Sequence, residues 1–507
     1  MRLVTFAALC FLVAPSACSV PRDSPAPRPN IVLIVADDHA YHALSCYGGR
    51  VNRTPNLDRI AASGMRFDRA FVTDSLCGPS RACIMTGKYG HVNGYKVHSG
   101  SFDASQWTMP KELQRSGYAT AAIGKWHLGS APTGFDHHDV LPGQGVYRNP
   151  AFLSMGPRTR TEGYVTDIIT DKAIAWLSDR PKDRPFFLFV GHKAPHRPWV
   201  PDEKHAANFA GLEIPEPETL FDDYATRQDP IREAKMRVAE DLTKTDVKAD
   251  PPPGLSGDHL TRWYYRRYMQ DYLACVQSVD DNVGRLIDWL DQHGLGENTM
   301  VVYTSDNGFF LGDHGFYDKR FMYEESMRVP LLIRWPGHVA PGSSCSELVT
   351  NADLAPTFLA AAGAEIPAEV QGSDLGPLLA GCAEGWRDSI YYRYYEYPRP
   401  HRVRPHYGVR TRTHKLIYYP DLCVGELFDL ERDPKELRNL YGDPGSAEPQ
   451  RTLERELERL QRRLGDEPSG GPAPGGGGQP PKTARPAGTA GGRPKEAGRA
   501  RILPSSR

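Results

Sequence analysis

The residues able to do chemistry in this chain come in short polar clusters, each directly after an apolar run. Asn30 to Ala36 (NIVLIVA) leads into Asp37-Asp38-His39, and Met300 to Thr304 (MVVYT) leads into Ser305-Asp306-Asn307-Gly308. Tyr118 to Gly124 (YATAAIG) is followed by Lys125-Trp126-His127, and Phe186 to Val190 (FFLFV) by a segment ending at His196. Asp37, Asp38, Asp306 and Asn307 are hard oxygen donors, suited to Ca²⁺ or Mg²⁺ and poorly suited to zinc. One Asp after a strand reads as a turn former or helix cap; two adjacent pairs brought to one place read as a metal site. Lys125, His127, His196 and Lys319 add cations and proton-transfer groups, so with a metal they make an anion site capable of acid–base work. The candidate nucleophile lies in SLCGPSRACIMTG. A helix starting near Pro79 would put Cys77 at its positive end and Arg81 about one turn on, close to the same anion. The plainer reading of that pair is a buried structural cysteine and a surface arginine.

Continuous apolar runs of this length fit strands buried on both faces of a parallel sheet. Helical patterns lie between them. Thr54 to Gly64 has an N-cap, a first-turn proline and a terminal glycine, and Asp271 to His293 carries Leu273, Val276, Val279, Val283, Leu286 and Leu290 at helical spacing. Alternating strands and helices predict an α/β domain, in which ligands bind where the carboxyl ends of the strands open into a crevice. All four polar clusters fall at that edge. Strand-like runs (SIYYRYYEY, KLIYY, ELFDL) and a charged helix from about Gln450 follow in the C-terminal part. The Pro-rich stretch 201–260 reads as a long insertion shaping the entrance.

The run Cys77-x-Pro79-Ser80-Arg81 with Thr86-Gly87, and then Gly124-Lys125-Trp126-His127-Leu128-Gly129, resembles the type I sulfatases of the alkaline phosphatase superfamily. The resemblance covers essentially residues 30 to 445, with the motifs in the family's order. It implies a large mixed, mostly parallel sheet sandwiched by helices over 30–385. It also implies a smaller C-terminal α+β subdomain with an antiparallel sheet over 386–465. A maturation enzyme would oxidise Cys77 to Cα-formylglycine, and a metal, Ca²⁺ before Mg²⁺, would bind Asp37, Asp38, Asp306, Asn307 and the modified Cys77. Arg81, Lys125, His127, His196 and Lys319 match the remaining family site positions.

The implied reaction is attack of a hydrated formylglycine hydroxyl on sulfur, giving a covalent sulfo-enzyme. His127 would then deprotonate the second hydroxyl to expel sulfate, His196 would protonate the leaving alcohol, and Lys125 and Lys319 would hold the sulfuryl oxygens. His192, four residues before His196, is the other histidine that could approach the substrate; the Ala-Pro-His-x-Pro pattern favours His196 as the acid.

Asp306 to Gly315, Asp318 to Ser326, His192 to Trp199, and the later HYGVRTRTHKLIYYP and ELFDLERDPKELRNLYGDP are similar to bacterial carbohydrate sulfatases of the N-acetylglucosamine-6-sulfatase type. The implied substrate is a sulfated sugar such as 6-O-sulfated N-acetylglucosamine. Tyr394, Tyr395, Glu396, His401, Arg402 and His406 are the residues expected either to read the sugar at the rim or to pack the subdomain onto the first. Two alternatives stay open. One is a phosphonate monoester or phosphodiester hydrolase on the same fold; the other is a non-catalytic sulfated-glycan-binding protein in which Cys77 remains a thiol.

Composition bounds the partners and the compartment. The 507 residues are 40% hydrophobic and 24% charged, which is ordinary for a globular protein. With 61 Lys+Arg against 62 Asp+Glu the net charge is -1, so no global field gathers nucleic acid or an anionic membrane. Residues 1–19 read as an export signal, and 20–29 as a Pro-rich leader. Cys18 in PSACS allows a lipoprotein anchor in place of ordinary cleavage near Ser19. The expected location is periplasmic or secreted, with an outer-membrane lipoprotein as the anchored variant. Residues 466–507 are too Gly/Pro-rich to order themselves and are expected to be a disordered tail. Seven cysteines beyond Cys18 contain no Cys-x-x-Cys pair, so a zinc ribbon or thioredoxin-like site is not expected. Cys345 with Cys382 is the expected disulfide, if one forms.

Overall fold

The computed structural model describes residues 28–49 and 51–466. The signal segment 1–19, nearly all of the leader 20–29, and the tail beyond Asp466 lie outside the described residues. No helix among the described residues is long and apolar enough to cross a membrane.

A ten-stranded sheet forms the core, in the order Ser343–Cys345, Met65–Phe67, Leu331–Arg334, Thr299–Ser305, Asn30–Ala36, Phe186–Gly191, Ala119–Lys125, His137–Leu141, Ala151–Ser154, Thr159–Arg160. The five strands from Thr299–Ser305 to His137–Leu141 are all parallel. Antiparallel pairings begin at Leu331–Arg334 on one side and Ala151–Ser154 on the other. The first four apolar runs supply these central strands, and every residue of each is buried. Helices Pro55–Ala62, Val165–Asp179 and Gly257–Gln292 pack as one group, and Cys77–Thr86, Met109–Arg115 and Leu354–Ala362 as another. The large mixed, mostly parallel sheet with helices is therefore the observed fold.

Gly124 and Gly191 face each other on adjacent strands at the carboxyl edge. A Cβ on Gly124, whose φ is +93°, would lie 2.1 Å from the Gly191 carbonyl oxygen, and one on Gly191 would lie 2.3 Å from that of Lys125. Only glycine allows the two backbones to meet there.

A separate four-stranded antiparallel meander runs Ser389–Tyr394, His406–Thr411, His414–Tyr419, Val424–Asp429, and the helix Ala447–Leu464 packs on it. A buried ionic cluster ties this meander to the short helix Glu324–Met327. Glu324 accepts from Arg410 at 3.2 Å and forms an ion pair with Lys415 at 3.0 Å, Glu436 meets Lys415 at 2.7 Å, and the Glu324 backbone N–H donates to Glu436 at 2.8 Å.

Several elements differ from the sequence expectation. The long helix starts at Gly257, fourteen residues before Asp271, because its first turns are half exposed and bury aromatic Tyr265 and Tyr268 in place of an aliphatic stripe. The insertion 201–260 consequently contains four short helices and the beginning of that long one. Strand His406–Thr411 had no continuous apolar run to announce it. Cys345 and Cys382 do not pair: both are free thiols, the first buried in an edge strand and the second exposed.

Candidate active site

Register builds the site. Ala36 and Ser305 are partners on neighbouring parallel strands, so the residues that follow leave the sheet side by side. The Asp306 backbone N–H donates to the Ala36 carbonyl at 3.1 Å, and that of Asp38 to the Asp306 carboxylate at 3.2 Å. Helix Cys77–Thr86 begins at Cys77, two residues earlier than the proline suggests, and the whole helix is buried. Arg81, one turn along, donates through Nε to Asp306 at 2.8 Å and through one Nη to the Lys125 carbonyl at 2.7 Å. Non-glycine residues take left-handed backbone conformations at Asp38, His127, Asp318 and Arg320, around the same centre. Such strain is held in place by surrounding structure and concentrates at functional sites.

The metal-type donors converge. One ligand atom each from Asp37, Asp38, Cys77 and Asp306 lies within 4.8 Å of the others, all buried. Asn307 donates to Asp38 at 2.5 Å. Lys319 Nζ sits 2.6 and 2.7 Å from the two Asp38 oxygens, while Lys125 Nζ is bonded to Asp37 and to Gln144. His196 directs Nε2 to within 3.8 Å of Asp38, its Nδ1 held by the Arg197 carbonyl at 2.6 Å. His127 is within 4.8 Å of Cys77 as well, with its Nδ1 buried and unpartnered.

Burial dominates the electrostatics. It pushes Asp306 up to about 7, with Asp37 adding to the rise and Arg81 opposing it. It acts on Asp37 too, but Lys125, His196, Arg81 and Lys319 overcome it and hold that carboxyl well below its usual range. Burial and the three carboxylates push the Cys77 thiol well above its usual value, against Lys319, so the unmodified side chain is a poor nucleophile. His127 and His196 are both pushed down, first by burial.

A divalent cation fits this donor set. Asp37 Oδ1 and Asn307 Oδ1 are buried oxygens with no hydrogen-bond partner, beside three carboxylates in a dry pocket. Orphaned buried oxygens of this kind are costly unless a ligand takes them up. Hard oxygen donors select Ca²⁺ or Mg²⁺.

The expected sugar-reading residues scatter. Glu396 lies beside the pocket but is engaged, bonded to Arg320 at 2.7 Å and to the His98 backbone N–H at 3.2 Å. Tyr394 is buried with its hydroxyl on Arg320 at 3.2 Å, and His401 is buried between Asp318 and the Lys235 carbonyl. Arg402 is exposed. His406 follows the second of the two expectations: it is fully buried among Phe321, Tyr392, Tyr394 and Tyr419 and packs the subdomain. His192 is likewise enclosed, at 1% exposure, with its backbone N–H on Val35. Tyr395 stacks with Lys96 and Arg393.

Sequence reasoning missed His98. Its Nε2 accepts from the Gly78 N–H at 3.4 Å, its ring lies 5.0 Å from that of His127, and Glu396 flanks its Nδ1 at 3.7 Å. It lies in a segment, YKVHSGSF, with no periodicity or motif to mark it. Gln144 on Lys125 was equally unmarked, whereas Lys193 lay within the His192 to Trp199 run without a role; burial and Lys125 push Lys193 down to about 8.

A parallel-sheet edge carrying an acidic metal-type cluster, a buried Cys-x-Pro-Ser-Arg helix start and flanking lysines and histidines defines a hydrolase of the alkaline phosphatase superfamily. The chain belongs to the sulfatase family: the sulfatase family model matches residues 29–364, and the C-terminal model of N-sulphoglucosamine sulphohydrolase matches 312–463. It is a sulfuric ester hydrolase. Among relatives, it is 44% identical over 500 residues to N-acetylglucosamine-6-O-sulfatase of Bacteroides thetaiotaomicron, covering 89% of each chain. It is 33% identical over 464 residues to human arylsulfatase A, covering 83% of this chain and 85% of that one. A solved structure of a protein in complex with its substrate D-glucosamine-2-N,6-O-disulfate superposes with a TM-score of 0.85 at 44% identity, covering 87% of this chain and 99% of that one.

Proposed function

We propose that this protein hydrolyses a sulfate monoester on a sulfated sugar, such as 6-O-sulfated N-acetylglucosamine, and releases inorganic sulfate. The observation that carries this is the meeting of Cys77, Asp37, Asp38 and Asp306 within 4.8 Å, in a chain 44% identical to an N-acetylglucosamine-6-O-sulfatase over 89% of its length. Asp37, Asp38, Asp306, Asn307 and position 77 would hold the divalent ion, Ca²⁺ in preference to Mg²⁺, which supplies positive charge for the sulfuryl oxygens. Formylglycine made from Cys77 supplies, once hydrated, one hydroxyl to attack sulfur and a second through which sulfate can be expelled.

The chain's own groups do the rest. Arg81, fixed by Asp306 and the Lys125 carbonyl, holds the nucleophile's position from one helical turn away. Lys125 and Lys319 grip the transferring group and offset charge as the S–O bond breaks. His127 takes the proton from the hydroxyl at position 77. His196, its Nδ1 committed to the Arg197 carbonyl, turns Nε2 toward the departing sugar oxygen and protonates it. The reading also includes a formylglycine-generating enzyme as partner, export by residues 1–19 to the periplasm or medium, and membrane attachment only if Cys18 is lipidated.

The test is sulfate release, with Ca²⁺ present, from a panel of sulfated mono- and disaccharides, beside phosphate release from a matched ester. Mass analysis of the Cys77 peptide reports conversion, and Cys77→Ala is the control. The expected result is sulfate release confined to 6-O-sulfated N-acetylglucosamine and lost in the variant. No sulfate release from fully converted protein sinks the sugar assignment and brings phosphonate or phosphodiester substrates forward.

A further inference from the structure

We propose that a basic groove on the C-terminal meander, separate from the reaction centre, binds a sulfated glycan chain and keeps the enzyme on a polymeric substrate. This rests on the reading of the substrate as a sulfated sugar. The groove, about 710 Å³, lies between the start of strand Ser389–Tyr394, the turn at 411–413, and helix Ala447–Leu464. Five arginines line it, Arg387, Arg412, Arg455, Arg459 and Arg463, against two carboxylates, Asp388 and Glu456. The whole chain carries a net charge of -1, so this positive charge is a local concentration.

The helix supplies its arginines at regular spacing. Arg455, Arg459 and Arg463 are four residues apart, which sets neighbours about 6 Å apart along the axis on one slowly turning face. The opposite face buries Leu453, Leu457 and Leu460, so the arginine row stays outward. Most of the guanidinium groups are already committed. Arg387 is paired with Asp353, Arg412 with Glu347 and Asp388, and Arg459 with Glu456. Among the described residues Arg455 and Arg463 form no ion pair, Arg455 donating to the Thr452 hydroxyl and Arg463 acting on Glu456 only through space, so these two hold the least compensated charge.

The remaining lining suits a sugar. Trp386 presents a half-buried indole anchored by its N–H to the Leu348 carbonyl, and the Thr452 hydroxyl lies beside Arg455, while those of Ser389, Thr411 and Thr413 are already bonded to Glu456 and His414. Guanidinium groups match the oxygens of sulfate as they match carboxylate and phosphate, and aromatic faces take apolar ring surface. Strand Ser389–Tyr394 runs from the groove to Tyr394, two residues before Glu396 beside the reaction centre, a span of roughly 17 Å. A chain of several sugar units is thus the occupant the charge and spacing favour over a single sugar.

The experiment compares the full-length protein with Arg455→Ser/Arg463→Ser. Retention on immobilised dextran sulfate is measured against unsulfated dextran and duplex DNA, and KM is measured on a sulfated monosaccharide and on a sulfated oligosaccharide. Expected are elution of the double variant at lower salt and about five- to tenfold weaker dextran sulfate binding, from two exposed charge contacts. KM should rise on the oligosaccharide alone, with monosaccharide turnover unchanged. Wild-type retention and KM in the variant would overturn the proposal, as would DNA binding as tight as that of dextran sulfate with the same loss on substitution. The retention arm needs no turnover, so it stands apart from a failure of the sulfatase reading.

Discussion

Two buried charge clusters in this protein look alike on paper and differ in one respect. At the sheet edge, Asp37, Asp38 and Asp306 meet Arg81, Lys125 and Lys319; at the joint of the meander, Glu324 and Glu436 meet Arg410 and Lys415. The joint is closed by ion pairs: Glu324 lies between Arg410 and Lys415, and Glu436 between Lys415 and a backbone N–H, although Lys415 Nζ makes no aligned hydrogen bond. The sheet edge is left open. Asp37 Oδ1, Asn307 Oδ1 and one Arg81 Nη find no partner within the protein. Buried charge that satisfies itself holds parts together, whereas buried charge left incomplete is a place for something else to bind.

Five measurements can break or sharpen that contrast. The largest effect is expected at the open cluster. Asp306→Asn, nearly isosteric, should lower kcat/KM by at least about a thousandfold while the midpoint of the metal-free protein changes little, because burial already disfavours the charged form of this carboxyl. Chelation should likewise abolish turnover and lower the midpoint, with Ca²⁺ restoring both. A fall in stability without loss of activity would reverse the comparison.

At the closed cluster the effects exchange places. Lys415→Met leaves two buried glutamates short of a cation and should cost about 3 kcal/mol in denaturant unfolding, with activity per folded molecule nearly unchanged. Smaller again is His98→Ala. Its ring packs on His127 and is flanked by Glu396, so about a tenfold fall in kcat with KM little changed is expected; a change in KM alone would make it a sugar contact instead.

The smallest effect is a pH dependence. Burial pushes Glu436 up to about 7 despite Lys415. An acid whose folded value is raised stabilises the fold below its unfolded value near 4.5, and that contribution is lost as pH rises through about 7. Glu436→Gln should flatten the decline in stability between those limits, read from unfolding midpoints across pH. An unchanged profile would mean that another group sets the slope.

What was legible in the sequence follows the same division. Strand ends followed by polar residues are one-dimensional signals, so Asp37, Asp38, Lys125, His127 and Asp306 could be found from order alone, as could Cys77 at the head of a helix, though not the helix start itself, which the proline placed two residues late. His98 could not, because it meets Glu396 only when the meander docks beside the nucleophile, and it sits in no periodic run. His406 stayed open between two readings for a related reason. Histidine and tyrosine in a loop-like segment look the same in sequence whether they face a sugar or, as here, fill a fully buried aromatic cluster. The start of the long helix was lost because periodicity of aliphatic residues fades where aromatic residues do the burying.

The register of strand Asn30–Ala36 also bears on the order of assembly. Its partners on either side are Phe186–Gly191 and Thr299–Ser305, contributed far later in the chain. Loop-closure entropy must be met before such distant pairings return any free energy. Asp37 and Asp38 therefore wait without their counterparts until some three hundred residues have been synthesised, and a chain cut short before Thr299 carries Cys77, Lys125 and His196 yet cannot gather them around Asp306. Catalytic competence arrives late in the life of each molecule, as a property of the finished chain alone.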